Sequence, residues 1–280
     1  MNISKQDFLV LLFYYTGYSS IRNLFIRILG KPVTRIVTFH DILPEAFNYF
    51  KAKIYFLRRR TNVVSLEDFF SGRLSTKKIN VIITLDDGYK SWLTYAVPIL
   101  KKFELPATFF VTSGFIGLPI DKEVEFMRTK LCLKPDLRKT TRGLSFEDLR
   151  RIVKEGFTIG GHTLNHANLG NLHDSAILRY EISEDKMRLE KAAGVKVEFF
   201  AYPSGEDYNP EINLIEMLKE LGYKGAVTTV SGFNKASSNP YLLHRELTRA
   251  EMPMAVFRAR VYGNHDAVRF IKERVPKGLR

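Results

Sequence analysis

With one cysteine in 280 residues, Cys132, the chain can form no internal disulfide, a usage that fits a reducing compartment. Cys132 reads as an inert packing residue. Long apolar runs are also missing. The longest near the start, Phe8 to Tyr15, falls well short of the roughly twenty residues that span a bilayer, and no Ala-x-Ala-like cleavage site accompanies it. Neither a transmembrane span nor a signal peptide is read there. Linkers, low-complexity tracts and internal repeats are absent as well. Acidic charge is in short supply: 30 Asp and Glu stand against 43 Lys and Arg, a formal net charge of +13. An anionic surface or polymer is therefore a plausible neighbour. The basic residues are scattered, with groups at Arg58-Arg59-Arg60, Lys77-Lys78, 128–142 and 269–280 among which Phe270 is the single aromatic, so nucleic acid is set aside as a partner.

What is present suits a soluble globular protein. Hydrophobic residues make up 45% and charged residues 26%, and the length allows one large domain such as an α/β barrel, or two small ones. Residues 1–32 read as an amphipathic helical segment. Ile21, Leu24, Phe25, Ile28 and Leu29 share one helical face, Arg22, Asn23 and Arg27 the other, and Gly30 with Pro32 end the helix. That helix either packs on the domain or lies on a membrane surface.

From there the chain alternates strands and helices. Strands are expected at Arg35 to Phe39, Asn62 to Ser65, Asn80 to Leu85, Pro106 to Thr112, Phe157 to Gly160, Lys196 to Ala201, Lys224 to Thr229 and Tyr241 to Leu247. Helices are expected at Leu43 to Arg60, Tyr89 to Phe103, from Ser145 with its Asp148 capping box to near Gly156, at Asp174 to Ala193, Pro210 to Leu221 and Pro253 to Arg274. The stretch from Ser113 to Gly143 reads as a long loop holding at most one helix. Polar residues recur at strand C-terminal ends, five times over. A parallel (β/α) barrel collects its active site there, whereas a doubly wound sheet, the alternative, uses one switch point. The fold class is thus α/β, a parallel (β/α) barrel of about seven strands.

One strand end carries Asp86 and Asp87 before Gly88, after the buried run Val81, Ile82, Ile83, Leu85. Two carboxylates there must be hydrated, paired or bound to a cation. Another end carries His162 and His166, four apart, a spacing that lets two imidazoles meet one metal. With a carboxylate from Asp86 or Asp87 they make a two-histidine, one-carboxylate site with open positions.

Thr84-Leu85-Asp86-Asp87-Gly88, His162-Thr163-Leu164-Asn165-His166 and Tyr202-Pro203-Ser204-Gly205, in that order, resemble the polysaccharide deacetylases of the NodB-homology, or carbohydrate esterase family 4, group. The resemblance spans roughly Ile36 to Gly263 and makes 33–280 one such domain. It implies a distorted (β/α) barrel and removal of acetyl groups from N-acetylated sugars with one divalent metal, zinc first, with cobalt, nickel or iron as alternatives. By resemblance, Asp87, His162 and His166 hold the metal, Asp86 is the base, and the Ser204 backbone N–H after Tyr202 and Pro203 faces the oxyanion. The family's general-acid histidine is not found in its usual place. His40, after Val37-Thr38-Phe39, fits the circularly permuted poly-N-acetylglucosamine deacetylases, with Asp41 to orient it; His244 is the alternative. The family's arginine before the third motif is replaced by Ala201, and Arg245 is expected either to pair with the catalytic aspartate or to be an ordinary rim arginine. Ser204 replaces an aromatic, so Tyr89, Phe115 or Tyr208 is expected to supply the sugar platform. His173 and His265 read as surface or core histidines. The implied partner is an N-acetylated glycan. That substrate class points to the envelope, whereas the lack of a recognisable signal peptide points to the cytoplasmic side. The basic amphipathic N-terminal helix reconciles them, so the location expected is cytoplasmic or peripheral at the inner membrane surface. A hydrolase of small amides and a non-catalytic carbohydrate-binding relative are the alternatives.

Overall fold

The computed structural model describes residues 5–28, 30–133, 141–205 and 213–274. Helices α1 (Lys5–Tyr15) and α2 (Tyr18–Ile28) precede β1 (Thr34–Phe39), and α3 (Phe47–Arg60) follows a single 3-10 turn, Pro44–Ala46. Then come β2 (Asn62–Val63), α4 (Leu66–Phe70), β3 (Asn80–Asp87), α5 (Val97–Lys102), β4 (Thr108–Val111), α6 (Ile120–Thr129), α7 (Phe146–Lys154) and β5 (Thr158–Gly161). The rest are α8 (Ser175–Ala193), β6 (Phe199–Ala201), α9 (Leu214–Glu220), β7 (Gly225–Val227), β8 (Glu246–Leu247), α10 (Met254–Val261) and α11 (Asn264–Arg274).

The sheet runs β7-β6-β5-β4-β3-β1-β8, every pairing parallel. β2 takes the lower part of one edge of β3, and β4 the upper part. An isolated bridge from Val227 to Leu243 brings the segment leading into β8 against β7. The sheet therefore curls into the barrel shape read from the sequence. Its strands are buried on both faces, as parallel sheets demand, and the pleat sorts their side chains into two cores. Val37, Phe39, Val81, Ile83, Leu85, Phe109 and Val111 join the large cluster shared with the helices. Ile36, Ile82, Phe110, Phe199, Ala201, Val227 and Leu243 form an inner cluster, with Leu66 and Phe69 of α4 packed into it. Asp86 continues the inner series Ile82, Thr84, and this places its charge at the mouth of an apolar barrel.

Several elements depart from expectation. The stretch after Tyr89 is not one α-helix: Trp92–Ala96 forms a π turn in which the Val97 N–H donates to the Trp92 carbonyl. Pro98 lacks the N–H of a regular ladder and its ring crowds the carbonyl four residues back, and the wider turn relieves both. The last expected strand shrinks to Glu246–Leu247 because the preceding residues serve as closure. The C-terminal helix is two helices, broken at Gly263, whose φ is 80°. Ser113 to Gly143 holds α6, and Pro210 to Ile212 lie outside the described residues, as do Tyr208 and Leu29. Cys132 is exposed rather than packed, in left-handed backbone just past the end of α6. No described helix is long and apolar enough to cross a membrane.

Candidate active site

Strand register sets the site. Phe39 pairs with Leu85, so His40 stands level with Asp86. Asp87 pairs with Val111, and Val111 with Gly161, so His162 sits one residue further on and two strands away, where its side chain reaches Asp87 over the end of β4. The ends of β1, β3, β5 and β6 thus open into one cleft of about 980 Å3, lined by His40, Asp86, Asp87, His162, His166, Tyr202, Ser204 and Arg245.

The two aspartates have unlike surroundings. Arg245, fully buried, donates from Nη1 to Asp86 Oδ1 at 2.7 Å and from Nε to the Thr228 carbonyl at 3.0 Å. Burial opposes ionisation of Asp86, but the charges of Arg245, His162 and His40 outweigh it and hold its carboxyl below the ordinary value. Asp87 Oδ1 instead lies 3.5 Å from His162 Nε2 and 3.4 Å from His166 Nε2. By hydrogen-bond geometry this oxygen is buried with no partner among the described residues, a condition that is costly unless something else engages it.

Both imidazoles are oriented from behind. His162 Nδ1 faces the Ala201 carbonyl at 2.7 Å and His166 Nδ1 the Lys130 carbonyl at 3.2 Å. Each carbonyl accepts a hydrogen bond from Nδ1–H, and this fixes the tautomer and turns the Nε2 lone pair toward Asp87. The donor atoms of Asp87, His162 and His166 all lie within 4.8 Å of one another. An orphaned carboxylate oxygen facing two aimed imidazole nitrogens suits a divalent cation.

Helix α8 supports this loop with two carboxylates one turn apart, which the sequence reading missed. Asp185, fully buried, accepts from the Ser113 N–H at 2.8 Å and the His162 N–H at 2.9 Å. Burial pushes its carboxyl up to about 7 despite those amides. Glu181 accepts from the Asn165 N–H at 2.9 Å and the Asn165 side-chain amide at 2.7 Å. The i, i+4 spacing of two acids on the buried side of a helix was the available signal. Gly161 permits the approach, since a Cβ there would stand 2.7 Å from the Tyr223 hydroxyl and 3.1 Å from Asp185 Oδ2. The supported loop is strained: Thr163 and His166 have φ of 62° and 53°, and Asp87 and Ser204, also in the cleft, 90° and 61°. Each such residue costs on the order of 1–3 kcal/mol and persists only where its surroundings impose it.

The remaining expected residues fall in several places. Asp41 does not orient His40: its oxygens accept from the Ser91 and Thr141 hydroxyls, each at 2.6 Å. His244 is absent from the cleft lining; its ring packs at Gly232 and its backbone pairs with Asn234. Phe115 lies wholly in the core, whereas Tyr89, also buried, reaches the cleft wall. Pro203 sits buried between Tyr202 and exposed Ser204, and the Tyr202 hydroxyl donates to the Tyr241 carbonyl at 3.1 Å. His173 is exposed, and His265 contacts buried Glu246 at 2.8 Å.

A family model for polysaccharide deacetylase matches residues 73–226. YxkH of Bacillus subtilis, named as a polysaccharide deacetylase, is 26% identical over 179 residues, covering 64% of this chain and 55% of that protein. A poly-beta-1,6-N-acetyl-D-glucosamine N-deacetylase of Escherichia coli is 27% identical over 186 residues, covering 56% of this chain and 26% of that protein. The chain thus spans about half the length of the first relative and about a quarter of the second. Among solved structures, IcaB from Ammonifex degensii superposes with a TM-score of 0.62 at 22% identity, covering 84% of this chain and 97% of that one. A Streptococcus pyogenes deacetylase, PplD, solved in complex with acetate, gives a TM-score of 0.62 at 22% identity, covering 79% and 95%.

Proposed function

This chain belongs to the polysaccharide deacetylase family, and on that premise we propose that it hydrolyses N-acetyl groups of an N-acetylated glycan with the help of one divalent metal ion. The observation that carries the reading is the division between neighbouring carboxylates: Asp87 leaves an unpartnered oxygen facing two imidazole nitrogens, while Asp86 is taken by Arg245. Asp87, His162 and His166 would hold the ion, zinc first, with cobalt, nickel or iron as alternatives. Such an ion supplies polarisation of the amide carbonyl and a water acidified toward neutrality.

The chain's own residues do the rest. Asp86, kept ionised by Arg245, takes the proton of the attacking water at its carboxylate. The Ser204 backbone N–H, exposed by the left-handed turn after Pro203, donates to the carbonyl oxygen as it gains negative charge. His40, which lines the same cleft as His162, donates a proton to the departing amine, without which the C–N bond does not break. Tyr89 and Tyr202 shape the wall against which the sugar lies.

A cleft of about 980 Å3 is at the upper end for small-ligand pockets and suits several sugar units better than a small linear or cyclic amide. The intact set Asp86, Asp87, His162 and His166 argues against a purely binding relative. The test is acetate release from N-acetylglucosamine oligomers by the full chain. Release that scales with enzyme is expected; no release from any N-acetylated oligomer overturns the proposal.

A further inference from the structure

Helices α1 and α2 turn apolar faces outward. On α1, Val10 packs with Ala259 and Val268, yet Phe8, Leu12 and Tyr15 are 64%, 52% and 74% exposed. These three fall at helical spacing on one side. Helix α2 sits the wrong way round for a helix that merely completes a core. Arg22 points inward: it donates to the Gly263 carbonyl at 3.1 Å, also bonds the Tyr262 carbonyl, and stacks over Phe233 at 4.7 Å. Ile21, Leu24 and Ile28 point outward, at 60%, 57% and 71% exposure. Single exposed apolar residues need no explanation, but two helical stripes mark a docking surface.

Charge selects the occupant. Residues 1–60 hold ten Lys and Arg against three Asp and Glu, a net +7 out of +13 for the chain. The sole acid before Asp41 is Asp7, and it pairs with Arg260 at 2.8 Å. Lys31, Lys51, Arg58, Arg59 and Arg60 are exposed. A second copy of so basic a segment would be repelled, whereas an anionic bilayer offers both an apolar layer and the opposite charge. Exposed Tyr15 and Tyr18 suit the boundary between the two. Neither helix is long enough to cross, so the contact lies in the interface plane.

We propose that α1 and α2 dock this protein on the surface of an anionic lipid bilayer. Asp7 of α1 also lines the cleft, with Arg260 beside it, so the docked helix forms part of the active-site wall. Resting on the deacetylase reading, this makes the substrate a glycan carried at the bilayer surface, lipid-linked or newly extruded.

The test is sedimentation of the full chain with vesicles of phosphatidylglycerol and phosphatidylcholine in equal parts, against phosphatidylcholine alone, alongside size-exclusion chromatography. Binding to the anionic vesicles is expected, weakened at least about tenfold by the neutral vesicles or by raised salt. The triple variants F8E/L12E/Y15E and I21E/L24E/I28E, and the milder single changes L12E and L24E, are expected to bind at least about tenfold less tightly while releasing acetate from soluble oligomers as before. Vesicle binding is read without substrate, so a failure of docking and a failure of deacetylation are separate results. The proposal is overturned if the unaltered chain ignores anionic vesicles, if the single variants still bind as it does, or if it runs as a dimer that these changes split.

Discussion

Replacing Arg245 by Met removes one side of a wholly buried ion pair and keeps most of the side-chain volume. Asp86 then has two routes. Staying ionised without its partner costs about 3–5 kcal/mol. Taking up a proton at pH 7 from an ordinary carboxylate value near 4 costs about 4 kcal/mol, at 1.36 kcal/mol per pH unit. The costs are alike, so the variant is expected to lose stability of that order and to populate the protonated form. The sign for activity follows. A base works when unprotonated; Arg245 now holds Asp86 low, so removing it raises the carboxyl and moves the acidic limb of the rate profile to higher pH, by about 1–3 units. Arg245→Lys, which keeps charge but loses the fork that also reaches Thr228, should fall between. The assay is kcat/KM for acetate release from pH 5 to 10, with urea unfolding and metal content measured on the same samples. An acidic limb that does not move in Arg245→Met, with the rate near that of the parent, would refute the role given to this pair.

His40→Ala is expected to lower turnover by about 10²-fold or more while metal content stays intact; near-normal turnover removes His40 as the acid. Asp185→Asn, which leaves the cleft lining untouched, should weaken metal affinity by about 10–100-fold because the His162 loop loses its brace. Affinity equal to that of the parent would make Asp185 a packing residue and no more.

The barrel was legible because its strands are continuous β-branched and aromatic runs, each stopped by polar residues, and the helix caps at Ser145 and Gly194 are local signals that the fold retains. The family resemblance rested on three short motifs, each contiguous in sequence and so legible without the fold. What was missed depended on contacts distant in sequence. That Asp41 serves Ser91 and Thr141 rather than its neighbour His40 depends on the loop near residue 141 returning to the cleft. Asp185 gave only a helix-face signal, and its target, the His162 N–H, is 23 residues away. The outward face of α2 was equally hidden. Periodicity identified two sides of a helix, but which side meets the domain is decided by Arg22 bonding the carbonyls of Tyr262 and Gly263.

The most direct test of the account joins metal and acetate in one sample. The 280-residue chain is assayed for bound divalent metal and for acetate release from N-acetylglucosamine oligomers, as purified, after chelation, and after zinc, cobalt, nickel or iron is restored. The account predicts about one ion per chain, activity lost with that ion and recovered on its return, and neither ion nor activity in Asp87→Ala. Full acetate release from metal-free protein, or no stoichiometric binding by the intact chain, would contradict it.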